Sequence, residues 1–177
     1  VKLFRNKYRI ESARLKGWDY SAPGWYFVTI CTREAKRCFG EVKNGKMHLS
    51  TMGEIVAEEW KKAEGIRLTV ELDEFVVMPS HIHGIVAIGK ATVETPRRGV
   101  STPTGWKGSS LGSIVGQFKS ACTKRIWAAG FHEFAWQPRF YDHIIRNEQS
   151  LDHIREYVVN NPLKWELEKD KPENLYM

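Results

Sequence analysis

Hydrophobic and polar positions change period several times along this chain, and each change marks an element. After a basic leader, residues 25–32 (WYFVTICT) are dense in aromatic and β-branched side chains and predict a first core strand. Residues 41–49 (EVKNGKMHL) set Asn44-Gly45 between two short alternating segments, the dipeptide favoured by tight hairpin turns that need positive φ. Thr51-Met52-Gly53-Glu54 fits a capping box, after which Met52, Ile55, Val56, Glu59 and Trp60 recur at helical spacing until Gly65. Residues 70–78 (VELDEFVVM) and 81–88 (HIHGIVAI) predict two strands joined only by Pro79-Ser80, short enough for an antiparallel reversal.

Residues 89–108 are rich in Gly, Pro, Thr and basic side chains without periodicity, which predicts a mobile surface loop and not a domain boundary. From Ser109 or Ser110, positions Leu111, Ile114, Val115, Phe118, Cys122 and Ile126 form the apolar stripe of a helix. Its polar face carries Lys119, Lys124 and Arg125, suited to a phosphate backbone or simply to solvent. Residues 136–145 (WQPRFYDHII) are extended in character. Asn147 then caps a last helix through Leu151, Ile154, Tyr157 and Val158, which Asn161-Pro162 is expected to end because proline pushes its predecessor out of the α region. Strands and helices alternate without long crossovers. One α+β domain over residues 1–177 is expected, with a central antiparallel sheet and helices packed on it.

Bulk properties narrow the partners. A net charge of +6 and a pI near 9.2 favour a polyanion, although Lys and Arg are scattered and form no polybasic run. Cys31, Cys38 and Cys122 are odd in number and lack paired short spacing, which argues against a zinc site or a disulfide scaffold and for a reducing cytoplasm. No apolar stretch reaches the roughly 18 residues that span a bilayer, and no signal-peptide core is present, so no membrane partner is expected.

His81 and His83 are two apart on a predicted strand, so both imidazoles leave on one face and can share one cation. Alone, such a pair is equally well a packed core histidine and a neighbour. The residues that follow, Gly84-Ile85-Val86-Ala87-Ile88-Gly89, hold no carboxylate, which argues against cupin and metallo-β-lactamase sites. A third ligand must come from elsewhere. Tyr157 and Asn161 are four apart, and at about 100° per residue both fall on the border of the stripe made by Leu151, Ile154 and Val158. Joined, these features specify a chemistry. His81, His83 and the Asn161 amide oxygen would hold Mg²⁺ or Mn²⁺, and Tyr157 would attack a phosphodiester to give a 5′-phosphotyrosine and a free 3′-hydroxyl. A phenol of pKa near 10 is only about 0.1% ionised at pH 7, so the tyrosine needs the field of the cation or a base.

Residues 72–83 (LDEFVVMPSHIH) and 136–165 (WQPRFYDHIIRNEQSLDHIREYVVNNPLKW) resemble the signature segments of the REP-associated tyrosine transposases, a branch of the single-tyrosine HUH family. The resemblance runs over nearly the whole chain, including Arg14-Leu15-Lys16-Gly17 with Asp19-Tyr20, and Phe39-Gly40-Glu41. It implies a ferredoxin-like sheet with the histidine pair on a central strand, Tyr157 as nucleophile and Asn161 as third ligand. It also implies single-stranded or hairpin DNA as partner, a monomer or homodimer, and a cytoplasmic, nucleoid-associated location. Ser80 stands where the family often has Asn. Tyr141 is the rival nucleophile but lacks an Asn or Gln four residues on, and Trp136, Phe140 and Tyr141 are read as packing or base-stacking groups. His48, His132, His143 and His153 have no paired spacing and are read as surface or structural. Lys119, Gln137, Arg139 and Arg146, with Arg97-Arg98, are candidate DNA contacts. A catalytically silent DNA-binding regulator is the runner-up, and a two-histidine hydrolase of small phosphoesters is the third reading.

Overall fold

The computed structural model describes residues 14–64, 66–67, 69–89 and 110–167. The loop expected at 89–108 lies outside them from residue 90 onward, as do Gly65 and residues 1–13 of the basic leader.

Strand β1, Gly24–Cys31, alternates as its sequence predicts. Tyr26, Val28 and Ile30 are fully buried on one face, and Trp25, Phe27 and Thr29 stand on the other. A hairpin follows, β2 Gly40–Lys43 and β3 Lys46–Leu49, turning on Asn44 (φ 52°) and Gly45 (φ 68°). Two consecutive left-handed residues are what a two-residue hairpin loop of type I′ requires.

Helix α1, Thr51–Glu64, starts at its expected cap, one residue earlier than the sequence predicts. The Ser50 carbonyl already accepts from Glu54 N, and its hydroxyl accepts from Gly53 N at 3.2 Å. Ser50 is therefore the cap. The glutamate of the expected box falls one position too late to answer it.

Strands β4, Val70–Val77, and β5, His81–Ile88, run antiparallel, with a register irregularity between Leu72 and Phe75. Helix α2, Leu111–Ala128, is capped by Ser110 and buries the six apolar positions read from its periodicity. Strand β6, Tyr141–Ile145, leads into α3, Glu148–Leu167, where Asn147 Oδ1 accepts from Ser150 N at 2.8 Å.

The sheet order is β4-β5-β1-β6, antiparallel throughout. With the small hairpin set aside, the chain reads β-α-β-β-α-β, the ferredoxin-like arrangement. Helices α1 and α2 cover one face, where Ile55, Val56, Trp60, Ile114, Val115 and Phe118 pack on Tyr26, Val28, Ile30, Ile82 and Val86. Helix α3 covers part of the other, with Leu151 and Ile154 against Ile85, Ile145, Trp25 and Phe27. Strand β5 is thus buried on both faces along its whole length, which is why it reads as a nearly continuous apolar run.

Pro162 does not end α3, contrary to the expectation from sequence; the helix continues to Leu167. The ring removes the N–H that would bond to the Val158 carbonyl, a cost of about 3 kcal/mol in a helix interior. Tertiary contacts of the last turn offset it. Glu166 Oε1 accepts from Asn44 N at 3.1 Å and Oε2 accepts from Gly45 N, so a carboxylate closes on the tip of the hairpin. Trp165 packs its ring 5.6 Å from that of His81, with the Arg37 guanidinium 5.4 Å above it. Replacing Glu166 by Ala is expected to cost about 1–2 kcal/mol, seen as a thermal midpoint lower by several degrees. An unchanged midpoint would mean that the clamp does not support the turn after Pro162.

Candidate active site

Alternation along β5 places Ile82 in the α1/α2 core and turns His81 and His83 toward α3, on a strand with neighbours on both sides. Both imidazoles are buried, at 7% and 5% exposure. Their Nε2 atoms lie 3.1 Å apart, while His83 Nδ1 is 2.9 Å from Thr29 Oγ1 and His81 Nδ1 is 3.3 Å from Ser80 Oγ. If each Nδ1–H donates to its hydroxyl, the two Nε2 lone pairs are left facing one another. Burial lowers His81 to about 4, and burial followed by the neighbouring His81 lowers His83 well below its ordinary value. Two neutral nitrogens at this separation need a proton or a cation between them. Cis ligands about an ion with metal–nitrogen bonds near 2.1 Å lie about 3.0 Å apart, so the pair fits one cation without rearrangement.

Helix α3 brings the remaining candidates to the same place. Tyr157 sets its ring 5.4 Å from that of His83 and 6.0 Å from that of Phe27, which itself stacks on His83 at 5.3 Å. Trp165, eight residues on, meets His81. Asn161 lies midway along the helix face that these two define and is 6% exposed. Among the described residues no group of three His, Cys, Asp or Glu side chains gathers here.

The candidate DNA contacts divide. Gln137 donates its backbone N–H to the Cys31 carbonyl at 2.9 Å, next to the β1 residue that pairs with His81. Arg139 is exposed two residues further on. Lys119 reaches the same segment, but its ammonium donates to the carbonyls of Gln137, at 2.8 Å, and Arg139. Burial lowers it to about 8. Arg146 stands apart. Ile145 pairs with Trp25, six residues along β1 from Cys31, which puts Arg146 about 20 Å from the pair. Arg125, on the expected basic face of α2, is held by Glu58 and Glu59, whereas Lys124 is exposed. The unpaired histidines His48, His132, His143 and His153 are all exposed. Thr29, Phe27, Trp165 and Glu166 escaped the reading of motifs. Strand alternation placed Thr29 and Phe27 on the face of the pair, but only register shows that they touch it.

No protein-family profile matches the chain. An uncharacterized protein of Haemophilus influenzae is 38% identical over 163 residues, spanning 88% of this chain and 89% of its own length. The REP-associated tyrosine transposase of Escherichia coli is 32% identical over 95 residues, which is 53% of this chain; the match spans 45% of that transposase. A solved REP-associated tyrosine transposase, bound to a REP hairpin, shares the fold with a TM-score of 0.58 over 85% of this chain and 73% of its own, at 21% identity. The chain is thus similar to a REP-associated tyrosine transposase over about half of its length and shares the fold of another. No helix among the described residues is long and apolar enough to cross a membrane.

Proposed function

We propose that this protein is a metal-dependent single-stranded DNA endonuclease and strand transferase that works through a covalent 5′-phosphotyrosine on Tyr157, on hairpin DNA. The observation that carries the proposal is the stacking of one helix face on the pair, with Tyr157 against His83, Trp165 against His81 and a buried Asn161 between them. His81, His83 and Asn161 would hold the cation. Two imidazoles and one amide oxygen suit Mn²⁺ better than the harder Mg²⁺. Bound there, a divalent ion supplies the charge that makes a phenol nucleophilic and neutralises the phosphate oxygens in the transition state.

The step itself balances on the tyrosine. Tyr157 Oη forms a bond to the scissile phosphorus while the bond to the 3′ oxygen breaks. The phenolic proton passes to solvent, and the departing 3′ oxygen takes a proton from water. Attack of a 3′-hydroxyl on the phosphotyrosine runs the same exchange backwards, so strands rejoin without ATP.

Incubation with a single-stranded hairpin oligonucleotide and Mn²⁺ or Mg²⁺ is expected to give a protein–DNA adduct stable on a denaturing gel. Adduct should form at lower Mn²⁺ than Mg²⁺ and should not form when EDTA is present from the start. Cleavage without any adduct would overturn the proposal in favour of a hydrolase, and binding without cleavage in favour of a silent regulator.

A further inference from the structure

The sheet face that carries the pair is only partly covered. Among the described residues helix α3 lies mainly over β4 and β5 and reaches Trp25, Phe27 and Ile145 on β1 and β6, whereas Thr29 is only half-buried and Tyr141, at the start of the edge strand β6, is exposed. Tyr141 thus belongs to the uncovered part. It pairs with Thr29, which pairs with His83, so the three stand in one row across the sheet with side chains on one face. Two strand spacings set the backbones of Tyr141 and His83 about 10 Å apart. Thr29, between them, is short and turns its hydroxyl to His83 Nδ1. The row is therefore tall, low and tall, with a gap over Thr29.

Tyr141 is 46% exposed, whereas Trp136 and Phe140, the other aromatic side chains of its segment, pack into the core. Among the described residues none gives the Tyr141 ring an aromatic contact or its hydroxyl a hydrogen bond. The segment leading into it is fixed. Arg139 holds a φ of 69°, a left-handed conformation that a non-glycine residue keeps only where its surroundings impose it, and Lys119 pins the Arg139 and Gln137 carbonyls. A large ring presented to solvent on a rigid edge, one short residue from the pair, with an exposed guanidinium beside it, matches the chemistry of an unpaired base and its phosphate.

We propose that Tyr141 is a stacking platform for an unpaired base of the strand held at the site, with Arg139 beside it for the adjoining phosphate. The inference rests on the reading above that the partner is single-stranded DNA. Every base has a π-face, so the platform fixes position without selecting sequence.

The test uses single-stranded oligonucleotides with 2-aminopurine at successive positions, a base whose fluorescence is quenched when it stacks. Binding is measured without metal and in a Tyr157→Phe background, so that no strand is cut. One position is expected to be quenched, with the quenching lost in Tyr141→Ala and kept in Tyr141→Phe and Tyr141→Trp. Affinity should fall about 5- to 150-fold in Tyr141→Ala and hold within twofold in Tyr141→Phe. Thermal unfolding of each variant confirms that the fold is kept, as the exposure of the side chain leads one to expect. An unaltered quenching profile and affinity in Tyr141→Ala would overturn the platform. Because binding is read apart from cutting, a protein that forms no adduct but shows the stacking signature keeps the platform and loses the nuclease. One that forms the adduct without the signature keeps the nuclease and loses the platform, and one that binds no single strand loses both.

Discussion

Replacing Tyr157 by Phe is expected to abolish the covalent adduct and to lower strand cleavage at least about 10⁴-fold while leaving DNA binding and the fold in place. The ring makes the packing contacts, edge-on to Phe27 and His83 with the Lys164 ammonium 5.4 Å above it, and phenylalanine keeps all three. The lost atom is the one asked to attack phosphorus. No rearranged histidine replaces it, because both imidazoles are turned to each other and to the hydroxyls of Thr29 and Ser80. Tyr141 provides the internal control. It shares the sheet face with His83 but lies two strands from it, with no buried amide one helical turn away. An adduct that persists in Tyr157→Phe and disappears in Tyr141→Phe would transfer the nucleophile to Tyr141 and sink the assignment. Persistence in both variants would sink the phosphotyrosine.

Much of this site was legible because it is built from short-range periodicities. A period of two put His81 and His83 on one face, and a spacing of four put Tyr157 and Asn161 on one face of a helix; the fold had only to bring the two faces together. The Asn44-Gly45 turn and the stripe of α2 were legible for the same reason, since each depends on neighbours in sequence. The failures are local rules overruled from a distance. Pro162 should have ended α3, but Glu166 and Trp165, docked on the hairpin tip and on His81, carry the helix past it. Apart from those failures, the Lys119 ammonium donates to two carbonyls some twenty residues along the chain, a contact that no pattern on α2 alone shows. Ser50 against Thr51 is a contest between two adjacent hydroxyls. The Phe39 carbonyl decides it, accepting from Ser50 N and fixing where the chain enters α1.

Replacing Gly84 by Ala is expected to be the most damaging single-methyl change in the sheet, because the position next to the pair has no room for a Cβ. That atom would lie 2.3 Å from Trp60 Cζ2 and 2.7 Å from Cη2, far inside van der Waals contact. The indole has nowhere to withdraw. Phe75, opposite Gly84 in the ladder, stacks on it at 5.9 Å, and Phe118 abuts it edge-on at 5.2 Å. Trp60 is 3% exposed, and its buried Nε1 has no hydrogen-bond partner, so packing alone holds the ring against a desolvation cost. The strand must therefore yield instead of the ring. Overpacking of this kind costs about 1–3 kcal/mol and sometimes more, and two interpenetrating ring contacts put Gly84→Ala at the upper end. The displaced residue next to Gly84 is His83, whose Nε2 faces His81 at 3.1 Å, so adduct formation should fall even at temperatures where the variant is folded. A second substitution separates strain from any other effect of alanine. Trp60→Leu makes space for the methyl, so Gly84→Ala should cost less in that background than in the wild type, a non-additive cycle read by thermal unfolding. If the two changes add independently, or if Gly84→Ala alone melts with the wild type, the indole is not what fixes the strand beneath the histidines.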